Sequence, residues 1–247
     1  MNETAPIFNI SRLRLESDGQ GVRTLVCFKD CPLKCKWCPN EEQMKKVQPH
    51  WYTPESLLES LKLDDIYFRA SYGGITFGGG EPALRSNFIS DFARQCNRAW
   101  SIYIETSLNV PLEDVQILSH VIDHWYIDVK DGNDKIYRKY TKKSNALVLS
   151  NLKYLVGMGL KDKITVRIPK IPGYNTPQDV QKTEELIRGL GIDNIDFLYY
   201  NKSWPETVTT MGKPSEPVKW AWYRRIMRIM NKTIVKIYDA LEGNGRH

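Results

Sequence analysis

Short runs of apolar, β-branched and aromatic residues recur along the chain, each bounded by turn residues. Residues 24–28, 74–77, 101–105, 125–129, 164–168 and 195–199 predict six buried strands. Between them, helical periodicity predicts helices over 54–61 behind the cap residue Thr53, over 86–97, 112–119 and 145–156, and over 177–188 with Gly189 as the stop. Alternation of this kind implies parallel strands joined by right-handed crossovers. Without a dinucleotide-binding glycine fingerprint, it fits an α/β fold built as a partial (β/α)6, TIM-like barrel better than a doubly wound sheet. Further on, residues 220–230 read as an amphipathic helix and 233–238 as one more strand at the barrel edge.

A barrel of this kind carries its chemistry at the carboxyl ends of the strands. The first predicted strand is followed by Cys31-Pro-Leu-Lys-Cys35-Lys-Trp-Cys38, and the second by Gly78-Gly79-Gly80-Glu81-Pro82. Glu105-Thr106-Ser107 closes the third, Asp128-Val-Lys130 the fourth and Arg167-Ile-Pro169 the fifth. These five strand ends should converge on one mouth.

Composition narrows the class. The 247 residues contain no linker, repeat or low-complexity stretch, so a single domain over 1–247 is expected. With 41% hydrophobic residues and a mean hydropathy of -0.46, the chain reads as soluble and globular. No apolar run approaches the ~18 residues of a membrane span. The opening Met1-Asn-Glu-Thr-Ala-Pro lacks the basic start and apolar core of a secretory signal. A reducing cytoplasm without disulfides is therefore the expected setting. The net charge of +6 is modest, and the basic groups at 135–143 and 224–228 read as solvated helix faces, which is weak ground for a nucleic-acid partner.

The cysteines change the picture most. Three thiols over eight residues can grip one metal assembly, yet a closed structural zinc site or an all-cysteine iron–sulfur cluster wants four ligands. The cradle leaves one corner open for a substrate or cofactor. A zinc site completed by His50 or Cys96, or a loop of unrelated thiols, is the plainer alternative, and an iron–sulfur cluster is the better reading in a reducing compartment. Cys27 within a strand and Cys96 within a helix read as buried, inert thiols. Alone, the glycine run would mean a tight turn and Trp37 a packing aromatic.

Taken together, Cys-x3-Cys-x2-Cys after the first strand and Gly-Gly-Glu after the second resemble the signatures of the radical S-adenosylmethionine superfamily. That resemblance implies a 4Fe-4S cluster on Cys31, Cys35 and Cys38, whose unique iron is chelated by the amino and carboxylate groups of S-adenosylmethionine. It implies electron donation to the sulfonium, carbon–sulfur cleavage, and hydrogen abstraction from substrate by a 5′-deoxyadenosyl radical. Gly78, Gly79, Gly80 and Glu81 would approach the methionine amino group, Trp37 would lie near the adenine, and Asn40 would contact the nucleoside.

Further segments resemble the activating enzymes of glycyl-radical enzymes, pyruvate formate-lyase activating enzymes among them. Asp18-Gly-Gln-Gly21-Val-Arg23 is similar to their Asp-Gly-Pro-Gly-Ile-Arg, and Asp128-Val-Lys130 to their Asp-Leu-Lys. Arg167-Ile-Pro-Lys-Ile-Pro172-Gly173-Tyr174 is similar to their Arg-x-x-x-Val-Pro-Gly-aromatic segment. The resemblance implies Lys130 and Arg167 at the methionyl carboxylate, Glu105 and Asp128 at a monovalent-cation site, and Thr106 among the cofactor-binding residues. An ion pair with Lys130 is the alternative role for the two acids. It also implies a glycyl-radical enzyme as substrate protein and a reductant such as flavodoxin or ferredoxin. Departures stand at Gln20 for proline, Glu105 for aspartate, and Asn201 where the family has histidine near the adenine, and they suggest a divergent member. A radical enzyme acting on a ribosomal peptide or small molecule is the runner-up, and a non-catalytic zinc protein the third reading.

Overall fold

The computed structural model describes residues 3–15, 18–199 and the backbone of 209–210. The elements expected at 220–230 and 233–238, the basic group at 224–228 and Asn201 lie outside these residues. In chain order the strands are β1 (Ala5–Leu15), β2 (Val22–Phe28), β3 (His50–Tyr52), β4 (Gly74–Gly79), β5 (Ser101–Thr106), β6 (His124–Asp128), β7 (Ile164–Lys170), β8 (Ile195–Tyr199) and β9 (Thr209–Thr210). The helices are α1 (Glu41–Lys46), α2 (Pro54–Leu61), α3 (Asp65–Ser71), α4 (Ser86–Gln95), α5 (Leu112–Ser119), α6 (Asp134–Thr141), α7 (Ala146–Gly157) and α8 (Pro177–Gly189).

The sheet order is β3-β1-β2-β4-β5-β6-β7-β8-β9. From β2 through β4, β5, β6 and β7 to β8 every neighbouring pair is parallel, and these are the strands expected from the apolar runs. At one edge β1 lies antiparallel on β2 and β3 antiparallel on β1, while β9 lies antiparallel on β8 at the other. Among the described residues the sheet does not close on itself, so the barrel is partial. No described helix is long and apolar enough to cross a membrane.

Strand alternation sorts the two faces. On one, Ile102 and Ile104, Trp125 and Ile127, and Ile164, Val166 and Ile168 are buried in one apolar core with Leu57, Phe88, Phe92, Leu118, Leu152 and Ile187 of the helices. Tyr103 and Glu105, Tyr126 and Asp128, and Thr165 and Arg167 alternate with them and occupy the opposite, concave face. Helix starts follow local chemistry: Thr53 with Ser56 and Thr176 with Asp179 form reciprocal capping boxes, each followed by proline at the first helical position.

The foot of the sheet is closed from within. Arg23 is fully buried, and its guanidinium donates to Thr76 Oγ1 at 2.6 Å, to the Ile75 and Ser101 carbonyls at 2.5 and 2.9 Å, and to Ser101 Oγ at 2.9 Å. It also lies 3.6 Å from the centre of the Tyr103 ring. Burial still pushes its pKa down to about 10. Asp18, paired with Arg14, accepts from Thr76 Oγ1 through its carbonyl at 2.9 Å. A Cβ on Gly19 would stand 2.5 Å from the Tyr103 ring, so that turn requires glycine. The segment before Arg23 thus covers the sheet edge and its foot, at the end away from the cysteines.

Candidate active site

The cysteine loop leaves β2 and is held on two sides. Lys34 and Lys36 donate their backbone N–H groups to the carbonyls of Thr141 and Tyr140, in the last turn of α6, at 2.9 and 3.2 Å. Tyr140, buried at 1% exposure, donates its hydroxyl to the Trp37 carbonyl at 3.2 Å. On the other side the backbone N–H groups of Gly80 and Glu81 donate to the Phe28 and Asp30 carbonyls at 2.7 and 2.6 Å, and Asn40 Nδ2 donates to the Gly79 carbonyl at 2.8 Å. Cys31, Cys35 and Cys38 are free and half-buried. Burial, followed by the charge of Glu81, pushes the Cys31 thiol up to about 12. Burial pushes Cys35 up to about 11, against the opposing pull of Lys130. Among the described residues no three His, Cys, Asp or Glu side chains converge on a single ion position.

The glycines after β4 are needed for close approach to the protein itself. Gly79 has φ +94°, and a Cβ there would lie 2.7 Å from Cys27 Cα; one on Gly80 would lie 2.2 Å from the Asp30 carbonyl oxygen. Glu81 then bolts this loop to the end of β5. It is 1% exposed and accepts from Thr106 Oγ1 at 2.5 Å, Ser107 Oγ at 2.6 Å, Ser107 N at 2.9 Å and Ala83 N at 3.1 Å. Burial raises its pKa, and these four donors oppose the rise. Because each carboxylate oxygen faces a backbone N–H, either orientation of the amide in Glu81→Gln sets one donor against another. That variant should lose about 2 kcal/mol, the cost of a buried unsatisfied group, read as a lower denaturation midpoint; an unchanged midpoint would show the bolt to be dispensable.

A quartet of charges spans the ends of β5, β6 and β7. Arg167 donates Nη1 to Glu105 Oε1 at 2.8 Å and Nε to Asp128 Oδ1 at 2.6 Å, and Lys130 Nζ donates to Asp128 Oδ2 at 2.8 Å. The side chains of the two acids are 20% exposed, that of Arg167 13% and that of Lys130 11%. Burial works against the charge of Asp128, but Arg167 and Lys130 outweigh it and hold the carboxyl at about 2. Burial raises Glu105 despite Arg167. The influence of Lys130 on Cys35 brings this quartet within electrostatic reach of the cysteine loop.

The strand ends singled out in the sequence are therefore brought together, with altered detail. The Asn40 amide is engaged by the Gly79 carbonyl, and the side chains of Glu81 and Thr106 are engaged with each other, so all three serve first as ties between loops. Asp128 pairs with Lys130 as the plainer alternative had it, whereas Glu105 pairs with Arg167. Ser107, read from sequence as part of the third strand end but given no role there, donates twice to Glu81. Sequence reasoning missed Tyr140, hidden in a segment that reads as a charged helix face.

A family model described as the Radical SAM superfamily matches residues 25–187, and the chain belongs to that superfamily. It is an enzyme of the radical S-adenosylmethionine class, and among its relatives are activating enzymes. It is 28% identical to the (2S)-3-sulfopropanediol dehydratase activating enzyme of Klebsiella oxytoca, over 87% of this chain and 88% of that one. It is 29% identical to the pyruvate formate-lyase 2-activating enzyme of Escherichia coli (strain K12), over 86% of this chain and 82% of that one. The crystal structure of Streptococcus suis SuiB bound to precursor peptide SuiA shares the fold, with a TM-score of 0.57 at 16% identity over 85% of this chain and 45% of that one. Membership excludes the non-catalytic zinc protein and implies S-adenosylmethionine and an iron–sulfur cluster.

Proposed function

We propose that this enzyme activates a partner protein by removing an α-hydrogen from one of its backbone glycines, using a 4Fe-4S cluster on Cys31, Cys35 and Cys38 and S-adenosylmethionine at the open corner. The observation that carries the reading is the three-thiol loop, pinned between α6 and the glycine loop and within electrostatic reach of Lys130. The donor set fits a cluster. Thiols pushed up to about 12 and about 11 are protonated at neutral pH and need a cationic centre to hold them as thiolates. A zinc ion would draw its thiolates to about 2.3 Å around one point, whereas a cluster offers each cysteine its own iron and so suits thiols that do not converge.

When bound, the cluster supplies the single electron that breaks the sulfonium carbon–sulfur bond and leads to hydrogen abstraction. The protein's own residues hold and orient. The amino-acid end of S-adenosylmethionine is a zwitterion, and two cations with two anions at the ends of β5 to β7 complement it. Lys130 and Arg167 would take the carboxylate and the acids the ammonium, so binding exchanges partners within the quartet instead of adding charge. A Cβ on Gly78 would stand 3.1 Å from the Leu25 side chain and 3.5 Å from the Glu105 carboxylate, so glycine keeps that position from crowding Glu105. A monovalent cation does not fit the quartet as arranged, because the Arg167 guanidinium already bridges Glu105 and Asp128. No role is assigned to one.

A glycine α-hydrogen is open to attack because no side chain shields it, and the partner must present it on a loop that leaves its own core. The partner relation is supported by relatives that are activating enzymes aligned over most of both chains. The test is anaerobic: reconstitute the cluster, add S-adenosylmethionine, a reductant and a candidate glycyl-radical enzyme, and record the electron paramagnetic resonance spectrum. A glycyl-radical doublet with 5′-deoxyadenosine is the expected result. Cofactor cleavage with no protein radical on any candidate would overturn the partner assignment and leave a peptide or small-molecule substrate.

A further inference from the structure

The basic group at 135–143, read from sequence as a solvated helix face, acquires a different meaning from what lies against it. The cysteine loop docks on the last turn of α6 through Lys34 N and Lys36 N. This docking brings Lys34 and Lys36, which flank Cys35, beside Lys139, Lys142 and Lys143, and all five are exposed. None of the five is in an ion pair among the described residues. The acids nearby are already spent: Asp134 pairs with Arg138 at 2.5 Å, and Glu41, within reach of Lys36, pairs with Lys45 at 2.5 Å. Lys139 lies 5.3 Å over the Tyr174 ring, a contact that leaves its charge intact. The left-handed conformation of Lys142 ends the helix at this point.

We infer that this surface is the docking site for an acidic one-electron carrier protein. The inference rests on the cluster assignment made above. Cleavage of the sulfonium consumes one electron per turnover, which the carrier must deliver to the cluster: the carrier is oxidised by one electron, the cluster is reduced by one, and no proton need move. Electron transfer is favoured by the shortest path, and the exposed Lys34 and Lys36 stand directly on either side of the half-buried Cys35. Five exposed lysines around that segment, none in an ion pair among the described residues, would steer an acidic partner and orient it, an effect that weakens with salt.

The experiment uses reduced flavodoxin as the acidic probe and photoreduced deazaflavin as a small neutral reductant, with 5′-deoxyadenosine formation as the readout. Lys139, Lys142 and Lys143 lie outside the cysteine loop, so their triple replacement by Glu tests the patch without touching a ligand. The expected result is a flavodoxin-driven rate at least tenfold lower at low ionic strength, with its salt dependence lost or inverted, and a deazaflavin-driven rate equal to that of the parent. Should the Glu variant fail to take up iron, the triple Gln variant replaces it, with a smaller fall and a flattened salt dependence expected. A variant that keeps the parent's flavodoxin-driven rate and salt dependence overturns the docking site, as does an equal fall with both reductants. If the parent itself yields no 5′-deoxyadenosine with deazaflavin, the cluster assignment fails instead, and the docking site with it.

Discussion

Replacing any one of Cys31, Cys35 or Cys38 by Ala should lower reductive cleavage of S-adenosylmethionine by at least about 10³-fold, equivalent to about 4 kcal/mol in barrier. The three thiols occupy one loop held by backbone hydrogen bonds to α6 and to the glycine loop after β4. The loop therefore has no slack with which to recruit a substitute ligand. Cys27→Ala and Cys96→Ala should keep parental iron content and turnover. Cys27 is the more informative control, because it lies directly beneath Gly79, whose added Cβ would stand 2.7 Å from Cys27 Cβ. Its burial pushes the thiol up to about 12, as does that of Cys96. Neither is brought to thiolate by a neighbouring cation strong enough to offset burial. Iron and sulfide per chain after anaerobic reconstitution, with 5′-deoxyadenosine, are the measurements. Loss of iron in Cys27→Ala would move that residue into the ligand set.

The parallel strands were legible because each is an apolar or alternating run closed by turn residues, and because Thr53-Pro54 and Thr176-Pro177 are strong helix starts. The antiparallel edge was not. Only the first residues of β1 are buried; its remainder, where Arg12 and Arg14 alternate with Leu13 and Leu15, is exposed or half-buried and buries no apolar face. α6 was obscured for a related reason: its buried Tyr137 and Tyr140 are spaced among charged residues, so the segment reads as surface. At the site, residue types and their strand ends could be read from sequence, but partners could not. Glu105 meets Arg167 from 62 positions away, and Gly79 and Gly80 are glycine because of Cys27 and Asp30 on a neighbouring strand and loop. Such pairings depend on sheet register, which one chain's sequence does not display.

Register is also what makes Arg167 the residue on which the mouth depends. Arg167→Met keeps much of the side-chain volume but strands Glu105 and leaves Asp128 to Lys130 alone. Removing one partner of a buried pair costs about 3–5 kcal/mol; because both acids keep a fifth of their side-chain surface in water, about 3 kcal/mol at pH 7 is expected. The sign of the pH dependence follows from the acids. In the parent, Asp128 sits at about 2, below its ordinary value of 3.8, so its contribution is full above about pH 4 and is lost as the pH falls through 4 to 2. Glu105 is raised, so its charge opposes folding at neutral pH, and that cost is relieved on acidification. In Arg167→Met both carboxyls titrate higher, and the deficit against the parent should narrow as the pH falls from 7.5 towards 5, as the stranded acids take up protons. Adding Glu105→Gln should restore more than half of the loss, because the uncompensated charge is then gone. Urea midpoints of the full-length parent, single and double variants at the two pH values provide the check. A deficit that stays constant with pH, or a double variant no more stable than the single, would mean that packing of the guanidinium, and not its charge, holds the quartet together.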